Sequence, residues 1–356
     1  MKAALAALPE VLLPWYRANA RDLPWRHTQD PYRIWVSEIM LQQTRVAAVI
    51  GYYDRFLKMF PTVEALADAP EDVLMKQWEG LGYYSRARNL QKAAKEIAAA
   101  GAFPDTYETL KKLPGIGEYT AGAIASAAFG RRVPAVDGNV LRVAARIGDF
   151  HGDVTALSAK SGIRDAVEEI MPKELKDLRI FNQAMMELGA TLCAPNGPPN
   201  CADCPAKAFC LGRLRGTAAD LPVKAAKKPR RQEEKTVFLL LQNGRVALRR
   251  RPDTGLLAGL WEFPNVENTL DEHGAAAVMN QWGFTPKSWK NCLTAKHIFT
   301  HVEWHMTGYT VEVSGTGPED MLFVDGPALT AHAVPSAFAR YYTEAQTWLA
   351  AWDTDR

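Results

Sequence analysis

Four of the five cysteines in this 356-residue chain, Cys193, Cys201, Cys204 and Cys210, fall within eighteen residues as C-x7-C-x2-C-x5-C, and Cys292 lies far away. Thiols crowded in this way point to a metal centre. A chain this long buries an ordinary core without disulfide staples, and the cluster contains a C-x-x-C pair suited to a metal. Structural zinc commonly takes two close pairs. Here one C-x-x-C is flanked by a single cysteine on each side, which suits the corners of a [4Fe-4S] cube better, with zinc as the alternative. Two carboxylates offer a second chemistry. Glu38 lies among mostly apolar neighbours in Trp35-Val36-Ser37-Glu38-Ile39-Met40-Leu41, and burial there would keep it protonated near neutral pH. Asp137, in Val136-Asp137-Gly138-Asn139-Val140, precedes a helical stretch to about residue 147. It can cap that helix and be held ionised by the positive end of the dipole, although capping alone would account for an aspartate there. One neutral and one charged carboxyl form the pair that hydrolysis of a glycosidic bond uses.

The elements that must position these groups are helical at first. Residues 1–212 read as one long helical region, with Ala-rich amphipathic stretches at 87–100, 120–129 and 160–171 and punctuation at Pro61, Pro70, Pro104 and Pro134. Within it, Leu113-Pro114-Gly115-Ile116-Gly117 separates a short helix from a helix of small residues. The two glycines allow a tight turn whose N–H groups point outward at a helix start, so residues 109–130 have the form of a helix-hairpin-helix that grips a nucleic-acid backbone without reading bases. A plain helix–helix turn is the alternative.

The segment 213–235 reads as a basic linker, with Lys224, Lys227, Lys228, Arg230, Arg231 and Lys235 crowded together. From 236 to 356 the period changes to that of a mixed domain. Val237–Leu241 and Val246–Leu248 flank Asn243-Gly244, the pair suited to a type I′ hairpin, residues 302–313 alternate, and 336–352 reads as a closing helix. With 47% hydrophobic residues, 23% charged residues and a net charge of +2, the overall balance names no partner. An apolar run from Ala3 to Leu13 imitates a signal peptide, but Pro9, Glu10 and Pro14 interrupt it or follow it, and no stretch approaches membrane-spanning length. The expectation is a cytoplasmic protein with no membrane partner.

Glu38 in WVSEIMLQQT, the hairpin LPGIGEYTAG, VDGNV and the four-cysteine loop occur in this order. So ordered, they resemble the helix-hairpin-helix iron–sulfur DNA glycosylases, and among these the chain is most similar to the adenine DNA glycosylases of the MutY type. The likeness runs from about Leu12 to the end and includes LPWR at 23–26, GLGYYSRARNL at 80–90 and GLLAGLWEFP at 255–264. It implies a multidomain fold, an all-α glycosylase region carrying one [4Fe-4S] cluster on Cys193, Cys201, Cys204 and Cys210, followed by an α+β Nudix-like domain.

The implied reaction is release of adenine from a mispair with 8-oxoguanine in duplex DNA. Glu38 would protonate the base, Asp137 would stabilise or trap the sugar cation, and Tyr119 and Asn139 would orient them. Arg26, Trp25 and Gln183 would line the adenine pocket. Gln43, Thr44, Leu81 and Tyr83 would wedge into the duplex, with Gly115 and Gly117 on the backbone. Phe299-Thr300-His301 would recognise 8-oxoguanine, with threonine where the family commonly has serine.

Tyr119 stands where relatives that also cut the strand carry a Schiff-base lysine, so little lyase activity is expected. Residues 264–285 lack the glutamate array that holds magnesium in a working Nudix hydrolase. No nucleotide cofactor is expected, and the partners implied are duplex DNA and the enzymes that process abasic sites, with the chain a monomer. Two departures are the seven-residue first cysteine gap, where the family usually has six, and Cys292, which matches no metal position and reads as a partly buried free thiol. A bifunctional pyrimidine-lesion glycosylase/lyase and a non-catalytic iron–sulfur DNA-binding protein are the rival functions.

Overall fold

The structure, a computed structural model, describes residues 1–226 and 229–354, without the side chains of 353 and 354. Lys227 and Lys228 of the expected basic linker lie outside the described residues. The chain divides into two compact units, the first made of Met1–Ala69 and Arg88–Ala226.

In the first unit the helix Leu175–Thr191 packs against the helices Leu8–Asn19, Glu118–Ala127 and Gly138–Ile147. Its apolar positions recur every three or four residues, and Phe181, Met185 and Leu188 are buried with Leu8, Leu12, Val140 and Val143. Each such side chain contributes roughly 1.5–3 kcal/mol by leaving water. Gly189 sets how closely two of these helices meet. A Cβ there would stand 2.6 Å from Asn139 Cβ and 3.2 Å from its Cα, atoms held by backbone and unable to step aside. We therefore expect Gly189→Ala to destabilise this unit by about 1–3 kcal/mol through overpacking. A depressed Tm together with slower catalysis would register it, because Asn139 must move.

The helix Pro31–Leu41 starts at Asp30, whose carboxylate accepts from the Tyr32 N–H at 2.9 Å, with Pro31 at the first helical position. Residues 34–40 are all buried, so this helix is enclosed on every side. Glu38 therefore sits in the interior, as its apolar neighbours suggested. The hairpin is also present. The short helix Tyr107–Leu110 and the helix Glu118–Ala127 flank a turn in which Gly115 adopts φ +75°, while Gly117 is the N-cap. A Cβ at Gly115 would be strained and would meet Asn89 Cβ at 2.8 Å.

The second unit joins the chain after Ala226 to Pro70–Ala87. The sequence order had placed 70–87 in the helical region. Their partners lie far along the chain: Lys76 Nζ donates to the His332 carbonyl at 3.2 Å, and the Val334 N–H donates to Glu79 Oε1 at 3.0 Å. Hydrophobic period carries no record of such distant pairings.

The strands are β1 (Arg231–Gln242), β2 (Arg245–Arg250), β3 (Trp261–Glu262), β4 (Asn265–Glu267), β5 (Phe284–Ile298), β6 (Val302–Gly315) and β7 (Met321–Val324). They form one sheet in the order β3-β2-β1-β6-β5, with β4 on β1 and β7 on β2. The β1–β6 pair is parallel and the others are antiparallel. Asn243 (φ +51°) and Gly244 (φ +71°) make the expected two-residue turn.

Alternate residues of β1 enter two cores. Val237, Leu239 and Leu241 pack with the closing helix Ala339–Thr354, while Phe238 and Leu240 face the helix Glu272–Gln281. This explains the unbroken apolar run. β1 begins at Arg231, inside the segment read as linker, because Arg231–Lys235 pair in register with Val302–Met306 through backbone hydrogen bonds that a polar sequence does not advertise. The helix Leu211–Leu214 likewise extends past residue 212. Among the described residues no helix is long and apolar enough to cross a membrane.

Candidate active site

A cleft of about 460 Å³ in the first unit brings Trp25, Arg26, Glu38, Tyr119, Asp137 and Gln183 together, with Gln43 and Thr44 also on its wall. Burial pushes Glu38 up to about 7, against a hydrogen bond of 2.7 Å donated by the Tyr119 hydroxyl to its Oε2. The neighbouring Asp137 carboxylate raises it further and Arg26 opposes the rise. Near neutral pH this acid thus holds a proton for a substantial part of the time.

Asp137 is the N-cap of Gly138–Ile147. One carboxylate oxygen accepts from the Asn139 and Val140 N–H groups at 2.9 and 2.8 Å, and the other accepts from Asn139 Nδ2 at 2.7 Å. Its place at a helix start led us to expect its ionised form to be favoured. Burial instead moves it upward and the three donors oppose that shift, because desolvation falls on the whole group whereas the dipole acts only along the axis.

Asn139 continues inward. Arg142 Nη2 donates to Asn139 Oδ1 at 2.7 Å and to the Gly189 carbonyl at 2.7 Å, and its Nε donates to the Cys193 carbonyl at 2.7 Å. An unbroken hydrogen-bonded chain thus joins Asp137 to the backbone of the first clustered cysteine.

The opposite wall contains residues that sequence reasoning missed. Gln183 Oε1 accepts from the Tyr16 hydroxyl at 2.8 Å, and the Arg26 guanidinium lies 5.4 Å from the centre of the Tyr16 ring. Glu187 is fully enclosed and ion-paired to Arg21 and Arg26. Two signals were present: Glu187 lies one turn beyond Gln183 on the core helix, and Tyr16 continues the buried Leu8–Leu12 spacing with a polar tip. Trp25 is buried and packs edge-on to Tyr53 at 5.4 Å, so it serves core and cleft together.

Gln43, on the cleft wall, is exposed with φ +59°. The remaining predicted residues fall elsewhere. In the second unit Tyr83 is 45% exposed with φ +48°, whereas Leu81, expected beside it as a wedge, is buried at 6%. The Tyr83 and Thr300 hydroxyls are hydrogen-bonded at 2.8 Å. Phe299, Thr300 and His301 form the β5–β6 connection, where Phe299 packs on His297 and Trp304 while Thr300 and His301 are exposed. Cys292 is exposed rather than partly buried, in a stretch of β5 whose residues 290–292 are all exposed.

The four clustered thiols line one small cavity of about 20 Å³ together with Arg146, Lys207 and Arg213. Burial, with a smaller contribution from the other three thiols, pushes Cys204 up to about 11, and Arg146 Nη1 lies 3.4 Å from Cys193 Sγ. Four soft donors facing one space between cations suit an anionic metal–thiolate centre. Among the described residues no three His, Cys, Asp or Glu side chains are grouped to hold a single ion.

A helical body with a hairpin, a paired-carboxyl cleft and a cysteine loop defines a base-excision DNA glycosylase. Residues 36–173 match the HhH-GPD superfamily base excision DNA repair protein model, and residues 236–344 match the NUDIX domain model. The chain is 35% identical to the adenine DNA glycosylase of Homo sapiens across 89% of its own length and 69% of that protein. It is 36% identical to that of Mus musculus across 85% and 70%. It is also similar, at 28% identity and TM-score 0.53, to the structure of a thermostable thymine-DNA glycosylase, across 60% of this chain and 98% of the other. The chain belongs to the adenine DNA glycosylase family.

Proposed function

We propose that this chain hydrolyses the N-glycosidic bond of adenine mispaired with 8-oxoguanine, or with guanine, in duplex DNA and leaves an abasic site. The carrying observation is one cleft holding Glu38, drawn toward its protonated form, beside Asp137, whose charged form rests on three N–H donors. The adenine nucleotide rotates into the cleft at an unstacking cost of a few kcal/mol. Glu38 gives its proton to N7, and the C1′–N9 bond breaks with its electron pair going to the neutral base. The Asp137 carboxylate stabilises the resulting oxocarbenium ion or traps it until water adds at C1′ and loses a proton. Tyr119 orients Glu38, Asn139 orients Asp137, and Arg26, Trp25 and Gln183 hold the base.

The second unit supplies lesion recognition through the exposed Thr300 hydroxyl and His301, with Tyr83 as the wedge. Gln43, Thr44, Gly115 and Gly117 meet the duplex from the first unit, while Leu81, buried at 6%, packs beneath the wedge. Cys193, Cys201, Cys204 and Cys210 hold one [4Fe-4S] cluster. When bound, it would offset part of the thiolate charge and cross-link the loop. The chain's own residues then present Lys207 and Arg213 to phosphate. The protein works as a cytoplasmic monomer and hands its product to abasic-site enzymes.

Duplex carrying adenine opposite 8-oxoguanine, incubated with cluster-loaded protein and treated with alkali, is expected to be cleaved at the adenine. An intact duplex after that treatment would overturn the assignment. Borohydride treatment of protein on abasic DNA is expected to trap almost no covalent adduct, because the Tyr119 hydroxyl offers no amine. Strong trapping would favour a glycosylase/lyase.

A further inference from the structure

Phe299, Thr300 and His301 form a short connection between β5 and β6, and a hydroxyl that reads a lesion from so short a loop depends on what holds the loop still. The Phe299 N–H donates to the Val302 carbonyl at 2.9 Å, which closes the turn. Two contacts from the start of β1 fasten its backbone: the Arg231 N–H donates to the His301 carbonyl and Arg230 Nε to the Phe299 carbonyl, each at 3.1 Å. The outward contact is the Tyr83 hydroxyl, 2.8 Å from Thr300 Oγ1. The inward support is aromatic, because Phe299 packs edge-on against His297 and Trp304 with ring centres 4.5 and 4.8 Å away.

Of these two rings Trp304 is the fixed one. It is 1% exposed, and Lys235 Nζ lies 4.8 Å from the centre of its ring. Its Nε1 donates to Glu233 Oε2 at 2.7 Å. Glu233 is its register partner across the parallel β1–β6 pair and is ion-paired to Arg231. Burial would push Glu233 up, but hydrogen bonds from Arg231 and Trp304 win and keep it below the usual carboxylate range. A charged acceptor therefore holds the indole N–H. An indole fixed by that bond and packed on both Phe299 and a cation keeps one orientation, and Phe299 takes its own from it. We propose that Trp304, held by Glu233, is a positioning residue of the recognition loop and through it sets how strongly 8-oxoguanine is preferred over guanine.

The chemistry of the lesion makes placement decisive. 8-Oxoguanine differs from guanine by an N–H at N7 and an oxygen at C8, so discrimination comes down to very few hydrogen bonds. Such a bond weakens steeply once misdirected, and a loop that must first be ordered gives up part of what the contact returns. The inference rests on the reading of 8-oxoguanine by this loop and is tested with full-length, cluster-loaded protein. Single-turnover release of adenine is measured opposite 8-oxoguanine and opposite guanine, beside Tm, for wild type, Trp304→Phe, Glu233→Ala and Glu233→Gln.

Trp304→Phe keeps an aromatic ring and loses the N–H, while Glu233→Ala removes its acceptor. Each is expected to lower the ratio of the 8-oxoguanine rate to the guanine rate about three- to tenfold, the scale of one hydrogen bond, with the guanine rate changed by less than about twofold. Glu233→Gln keeps an acceptor oxygen and should hold the ratio within about twofold of wild type. The Glu233 arm stands even if Trp304→Phe does not fold. A ratio unchanged in the folded variants overturns the proposal, as does an equal fall on both duplexes that follows Tm, which marks Trp304 as a core residue only. A wild-type protein that releases adenine with no preference for 8-oxoguanine overturns the reading of the loop instead, and one that releases no adenine overturns the assigned reaction.

Discussion

Glu38→Gln is expected to lower adenine release by about a hundred- to ten-thousandfold, the range that a positioned general acid supplies, while duplex affinity persists. Glutamine keeps the shape and the acceptor for the Tyr119 hydroxyl, which lies 2.7 Å from Glu38 Oε2, but has no proton to give. Single-turnover excision beside a binding isotherm checks this, and a parallel loss of binding would make Glu38 a structural residue.

The wild type should lose activity as pH rises above about 7, where Glu38 gives up its proton. The linked effect on stability has the opposite benefit for the variant. A folded-state value raised from 4.5 to about 7 means that below pH 4.5 both states hold the proton and the group is neutral in its effect. As pH climbs through that window the unfolded chain ionises first, so burial costs stability, up to about 3 kcal/mol above pH 7. Glutamine removes this cost. Denaturant unfolding should therefore find Glu38→Gln the more stable protein at pH 8, with the advantage shrinking as pH falls toward 4.5. A difference independent of pH would show that Glu38 is not buried as an acid.

Asp137→Asn should be nearly as damaging, lowering excision by about a hundred- to a thousandfold, the scale of losing one preorganised electrostatic partner of the transition state. The substitution separates charge from capping, since asparagine caps helices about as well as aspartate and can still accept from the Asn139 and Val140 N–H groups. What it loses is the negative charge and one bond, because an amide donor would face Asn139 Nδ2, now 2.7 Å from Asp137 Oδ2. That bond is worth about 1 kcal/mol, partly offset by no longer burying an ion. Excision within tenfold of wild type, with Tm unchanged, would leave Asp137 as a cap alone.

Much of this was legible in order along the chain. The positive-φ turn at Asn243-Gly244, the glycine turn at 115, the cap at Asp137 and the apolar setting of Glu38 are local matters, decided by sterics and by neighbours within one or two turns. Three things were hidden. Pro70–Ala87 joins the second unit through partners more than 250 residues away. β1 starts in a polar segment because backbone pairing with β6 does not require apolar side chains. Asp137 is pushed up by enclosure, which depends on helices distant in sequence.

The residues alone determined the clustering of four thiols, the helical-then-mixed order of the fold and the candidacy of the two carboxyls, because each depends on residue type, short spacing and period. Only the tertiary structure decided that Glu38, Tyr119 and Asp137, spread over a hundred positions, share one cleft. It alone connected Asp137 through Asn139 and Arg142 to Cys193, and it alone enclosed Glu187 between two arginines. Desolvation and directed hydrogen bonds are properties of surroundings, and surroundings exist only once distant segments have packed.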